Sequence, residues 1–98
     1  MPTPSRGEVW LADLGIAAKI RPCLVLNVPP DPQDRVLVTL VPHTTSVQGT
    51  RFEVSVPKPF LKSGVFDPQG IVTVGRPRLI RRLGKLQTSE MASVEEAV

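Results

Sequence analysis

A mainly β fold with one short C-terminal helix is the class this sequence predicts, and three observations predict it. Eleven prolines and seven glycines cut 98 residues into short segments, which suit strands better than helices. Two apolar runs, Cys23-Leu24-Val25-Leu26 and Val36-Leu37-Val38-Thr39-Leu40-Val41, lack helical spacing and read as buried strands. Apolar residues at helical spacing occur only near the end, at Met91, Val94 and Val98.

The elements follow in chain order. Residues 1–5, Met-Pro-Thr-Pro-Ser, carry nothing that would pack and are expected to be disordered. The first strand is Gly7–Leu11, with Trp10 expected in the core. Arg21-Pro22 opens the second, Cys23–Asn27, and the proline fits a strand start because a missing ladder donor is tolerated there. A stiff proline-rich excursion, Val28–Asp34, leads to the third strand, Val36–Val41, which is apolar on both faces of the pleat and so belongs inside a barrel or under another layer. Phe52–Val56 alternates cleanly and predicts a strand with one wet face, reached through the turn Ser46–Thr50. A loop bracketed by Lys62-Ser63-Gly64 and Asp67-Pro68-Gln69-Gly70 precedes a strand at Ile71–Val74, and a further strand is expected over Leu79–Leu83. Thr88 is the expected cap of a helix over residues 88–98, which at that length must dock on the sheet to persist.

Length allows one domain, 1–98, with a modest core that a partner subunit would help. The apolar share of 41% and charged share of 21% belong to an ordinary globular chain rather than a disordered one. No stretch reaches the ~20 apolar residues of a membrane span, and the start lacks the apolar core of a signal peptide, so a cytoplasmic protein without membrane contact is expected. The single cysteine, Cys23, sits in an apolar run and reads as a small buried hydrophobe. One histidine, one cysteine and scattered acids make no zinc set, and no glycine-rich phosphate loop occurs, so neither metal nor cofactor is expected.

The chemistry concentrates at strand ends. Arg21 places a permanent cation at the head of one buried strand, while His43, Thr44, Thr45 and Ser46 place an imidazole and three hydroxyls at the tail of another. Side by side, two such ends would make an anion site. Net charge is only +3, but no acidic residue lies between Asp67 and Glu90, where Arg76, Arg78, Arg81, Arg82 and Lys85 crowd together. A one-signed stretch of this kind attracts polyanions in a salt-dependent way. RNA and acidic peptides both fit that field.

These residues also carry a resemblance. Arg6-Gly7-Glu8-Val9-Trp10-Leu11-Ala12-Asp13-Leu14 resembles the first strand of the MazF/PemK family of toxin endoribonucleases, and Arg21-Pro22-Cys23-Leu24-Val25-Leu26 its second. Val41-Pro42-His43-Thr44-Thr45, Phe52-Glu53-Val54 and Arg81-Arg82-Leu83-Gly84-Lys85-Leu86 are similar to later segments, so the likeness runs in order from about residue 6 to 97. It implies a small SH3-like antiparallel β-barrel with a terminal helix, acting as a homodimer. It further implies metal-independent, sequence-specific cleavage of single-stranded mRNA to 2′,3′-cyclic phosphate and 5′-hydroxyl ends. The family's key arginine matches Arg21 and its key threonine Thr44, with His43, Thr45, Ser46, Arg76, Arg78, Arg81 and Arg82 as candidate RNA contacts. The implied partner is an acidic antitoxin that covers the RNA groove and makes any contact with DNA.

Two departures stand out. Gly75 occupies the place where many relatives carry a carboxylate, and the connection Gly15–Ile20 is shorter than usual. A second class therefore stays open, in which the fold binds nucleic acid or acidic peptide without cutting.

Overall fold

The computed structural model describes residues 4–15, 19–27 and 37–97. Among these residues six strands and one α-helix follow in sequence: β1 (Glu8–Asp13), β2 (Ile20–Asn27), β3 (Leu37–Thr44), β4 (Val65–Phe66), β5 (Val72–Gly75), β6 (Leu79–Lys85) and α1 (Thr88–Ala97). All pairings are antiparallel, in the order β4-β3-β2-β1-β6, with β5 also paired to β3. This is the expected mainly β architecture. Among the described residues β6 makes no ladder with β4 or β5, so the barrel-like sheet is not closed by hydrogen bonds.

β1, β2 and β3 form the centre because their side chains are apolar on both faces. On one face Val9, Leu24 and Val41 pack with Val56, Phe66, Leu86 and the helix residues Met91 and Val94. On the other, Trp10, Ala12, Cys23, Val25, Val38, Leu40 and Leu79 form a second cluster. Each large apolar side chain removed from water in this way contributes on the order of 1.5–3 kcal/mol before entropy is charged against it. Trp10 is core, as expected, and its indole N–H donates to Glu8 Oε1 at 3.1 Å.

β4 and β5 are two halves of one edge. Both pair with the same side of β3, Val65–Phe66 against His43–Thr44 and Val72–Gly75 against Leu37–Leu40. Between them the 3-10 turn Pro68–Gly70 interrupts the ladder, with Asp67 Oδ1 accepting from Gln69 N at 3.1 Å. Pro42, which has no N–H to give, faces that interruption, and its carbonyl accepts from Asp67 N at 2.9 Å. The break in β4–β5 thus sits where β3 has no donor.

Several expectations need correction. Phe52–Val56 is not a strand: only Val54 pairs, exchanging backbone hydrogen bonds of 3.0 and 2.8 Å with Phe66. Alternation alone was satisfied there by a half-buried irregular segment. Val65–Phe66 is a strand inside the stretch read as loop. Residues 4 and 5 are ordered parts of the fold, since Pro4 is fully buried and Ser5 N donates to Glu8 Oε1 at 2.7 Å. Thr88 is the first helical residue rather than the cap. Gln87 caps, its carbonyl accepting from Met91 N, while Glu90 Oε1 reaches back to Gln87 N at 2.7 Å as the return half of a capping box. The excursion Val28–Asp34, Val36 and residues 1–3 and 98 lie outside the described residues.

Candidate functional site

The β2–β3 ladder pairs Val25 with Leu40, Leu24 with Val41 and Cys23 with Pro42. Arg21 lies two residues before Cys23 in β2 and Thr44 two residues after Pro42 in β3, just past the end of this ladder. On its other side Arg21 is paired with Ala12 of β1, which ties its backbone to the middle of the sheet.

Both residues line one open cleft of about 540 Å³, together with Lys19, Ile20, Pro22, His43, Thr45 and Ser46. Phe60, Lys62, Leu83, Arg81 and Leu11 complete its wall. Four of these side chains are cationic, Lys19, Arg21, Lys62 and Arg81, and none is acidic. Such a cleft concentrates anions from solution. Thr44 Oγ1 accepts from Ser46 N at 3.0 Å, which turns the chain at the end of β3 and leaves the hydroxyl proton to be donated elsewhere.

His43 is the most enclosed of the polar residues. It is 3% exposed, with its ring edge-on to Phe66 at 5.0 Å between centroids and 75° between planes. Burial pushes its pKa below the ordinary value of 6.5, so the ring is neutral at physiological pH. It is a wall residue. Gly64 packs flat against it: a methyl group there would stand 2.9 Å from His43 Cε1 and 2.2 Å from the Thr44 carbonyl oxygen. Gly84 serves Phe60 in the same way, since a side chain on it would meet the Phe60 ring at 2.3–2.6 Å.

Of the residues singled out in the sequence, Arg21, His43, Thr44, Thr45, Ser46 and Arg81 come together here. The others do not. Arg82 Nε is held by Glu8 Oε2 at 3.1 Å, because register shifts between Val9 and Trp10 and between Leu11 and Ala12 rotate β6. Arg76 and Arg78 belong to a separate 3-10 turn between β5 and β6. Gly75 ends β5 opposite Leu37 and does not border the cleft. Lys19, Phe60 and Lys62 were missed. Lys19 had a readable signal, a cation two residues before Arg21, whereas Phe60 and Lys62 arrive from an irregular segment. Cys23 is buried, and desolvation, partly offset by the Arg21 cation, pushes its pKa up to about 12, so it behaves as a small hydrophobe.

The fold has known counterparts. The fold is shared with an endoribonuclease solved in complex with its cognate antitoxin from a mycobacterial species, at a TM-score of 0.80 and 24% identity, covering 97% of this chain and 90% of that one. The Mycobacterium tuberculosis toxin MazF-mt6 gives a TM-score of 0.75 and 29% identity over 92% of this chain and 90% of that one. MazE-MazF from Deinococcus radiodurans gives 0.72 and 24%, covering 99% and 92%. The family described as PemK-like, MazF-like toxin of type II toxin-antitoxin system matches residues 5–98. With nearly its whole length so matched, the chain belongs to the PemK-like, MazF-like toxin family.

Proposed function

We propose that this protein is the toxin of a type II toxin–antitoxin pair and cleaves single-stranded mRNA without a metal ion. The observation that supports the reading is that Arg21 and Thr44 line one cleft whose wall carries four cations and no carboxylate. A chain with its own 2′-hydroxyl as nucleophile suits such a site. The 2′-oxygen bonds to the adjacent phosphorus, the bond to the 5′-oxygen breaks, the 2′ proton is given up and the leaving 5′-oxygen takes one. The products are a 2′,3′-cyclic phosphate and a 5′-hydroxyl.

Negative charge builds on the non-bridging oxygens in that step. The forked donors of Arg21 can hold two of them, and the Thr44 hydroxyl can donate to the same group. Arg21 is a charge stabiliser and not the base, because guanidinium stays protonated in proteins. Lys19, Lys62 and Arg81 hold the strand by its phosphates, which positions it without reading its sequence. Membership of the family and the likeness to MazF-mt6 support the same reading.

The same cleft suits an acidic antitoxin segment, and related folds are known in complex with antitoxins. A homodimer belongs to the proposal, the exposed Leu37 and Ile80 being apolar area that a second copy would cover. Among the described residues no helix is long and apolar enough to cross a membrane. An mRNA substrate would put the protein in the cytoplasm. Incubation with a long, weakly structured RNA in excess chelator tests the proposal: discrete fragments ending in cyclic phosphate support it. Intact RNA that still shifts in a gel would make the protein a binding module instead, and RNA neither cut nor shifted would end the nucleic-acid reading.

A further inference from the structure

A second cleft, of about 500 Å³, lies against the first and shares two residues with it, Lys19 and Ile20. Its other lining residues are Asp13, Gly15 and Arg78. Lys19 and Ile20 therefore form a ridge with a hollow on either side. The sheet register explains why Arg78 reaches it: Leu79 is paired with Ala12, so the preceding residue lies toward Asp13, whose partner across β1–β2 is Ile20.

The ridge is held in place. Lys19 N donates to the Gly15 carbonyl at 2.7 Å, and the Lys19 carbonyl accepts from Leu14 N at 3.0 Å. Lys19 has a φ of 61°, in the left-handed region that glycine, asparagine and aspartate occupy more cheaply than lysine. It is the only described residue other than glycine with a positive φ. Strain of this kind concentrates where a side chain is used, and here the side chain is a cation between two clefts. Ile20, beside it, is 55% exposed, an apolar surface next to two positive charges.

We infer that the second cleft is a further nucleotide subsite, rests on the RNA-cleaving reading above, and carries the strand beyond the Arg21–Thr44 centre. Lys19 straddles the ridge and holds the phosphate that crosses it. Arg78 takes the next phosphate, and the exposed Ile20 side chain gives the intervening base an apolar surface to lie against. Asp13 presents a carboxylate acceptor, one oxygen of which takes Gly15 N–H at 2.9 Å. An acceptor at that place suits the amino edge of a base, a donor that acidic side chains lack, so RNA is the occupant.

The test is binding of a short 2′-O-methyl RNA, which cannot be cut, measured over a series of salt concentrations. The parent, Lys19→Gly, Arg78→Ala and the double variant are compared, glycine being chosen because it accepts the φ of residue 19. Each lost phosphate contact should reduce the slope of log affinity against log salt by about 0.7, and the two losses should add. With oligonucleotides shortened one nucleotide at a time from either end, Arg78→Ala should lose its effect below a limiting length on one side only. A parent-like slope in Arg78→Ala overturns the subsite while leaving the cleavage reading intact. A parent protein that fails to bind the RNA at any salt overturns both.

Discussion

Arg21 and Thr44 line the same cleft from adjacent strands, each two residues beyond the last β2–β3 ladder pair, Cys23 with Pro42. Pairing of Arg21 with Ala12 and of Thr44 with Val65 ties both backbones to strands, so the two functional groups depend on the sheet and not on a loop. Replacing Arg21 with alanine should lower the cleavage rate by about 10²–10³, because removing one preorganised donor typically costs that much, and a urea midpoint measured alongside separates this loss from a loss of fold. Arg21→Lys should recover little, since a point charge cannot bridge two oxygens. Cleavage by Arg21→Ala at the parental rate would remove Arg21 from the chemistry.

Gly64 supports the other half of the pair. A methyl group at this position would lie 2.2 Å from the Thr44 carbonyl oxygen, a backbone atom that cannot swing aside. Gly64→Ala should therefore displace the end of β3, with a stability loss of about 1–3 kcal/mol. Displacement of Thr44 should also depress kcat, since a misplacement of about 1 Å can cost 10²-fold. Urea unfolding and single-turnover cleavage measure the two effects separately; a variant unchanged in both would mean that the Gly64 contact carries no weight.

Gly84 gives a different outcome because its neighbour is a side chain. The Phe60 ring lies where a Cβ on residue 84 would be, and it can be made smaller. Gly84→Ala should destabilise the protein, and in a Phe60→Leu background the same change should cost less. The coupling in that double-mutant cycle should fall in the range of about 0.5–3 kcal/mol usual for residues in contact. Strict additivity would show that the two do not meet in solution.

The central strands and the core of the site were legible in the sequence for one physical reason: Cys23–Leu26 and Leu37–Val41 are apolar on both faces, so they had to be neighbours in the middle of the sheet. Arg21 and Thr44 then had to emerge at their ends. What was not legible depends on contacts without local pattern. Val65–Phe66 is two residues long and takes its strand character from His43 and Thr44 opposite. The burial of His43 follows from that pairing, so the imidazole looked like an available contact until Phe66 was known to cover it. Arg82 was turned from the cleft by register shifts in β6, which leave no mark in the alternation of residues.

Cys23 offers a check on the packing beneath the site. Its thiol is fully buried and its pKa is raised to about 12 by desolvation, so almost no thiolate exists at neutral or mildly alkaline pH. A disulfide reagent such as dithionitrobenzoate should react with the denatured chain at once and with the native protein only as fast as it opens. Prompt reaction in native buffer would mean that the second core cluster is loosely closed.

His43 sets the acid limit of stability. In the unfolded chain its pKa lies near 6.5, and in the fold burial holds it lower. Between those two values the unfolded state binds a proton that the folded state refuses, so lowering the pH through this window favours unfolding. Above pH 6.5 both states are neutral and the effect is absent. The carboxylates with lowered pKa, Glu53 and Glu90, are held down chiefly by backbone N–H donors at Gln48 and Gln87 respectively, and their stabilisation is lost only at pH values below about 4.5. The stability lost as the pH falls below 6.5, before the carboxylates titrate, thus belongs to His43, whose pKa is lowered by burial. Urea midpoints measured at pH 7.5 and pH 5.5 should differ in the parent, falling at the lower pH, and should draw together in His43→Phe, which keeps an aromatic edge against Phe66 without a titrating group. A parent midpoint that is flat across this range, or one that falls equally in the variant, would place the proton elsewhere.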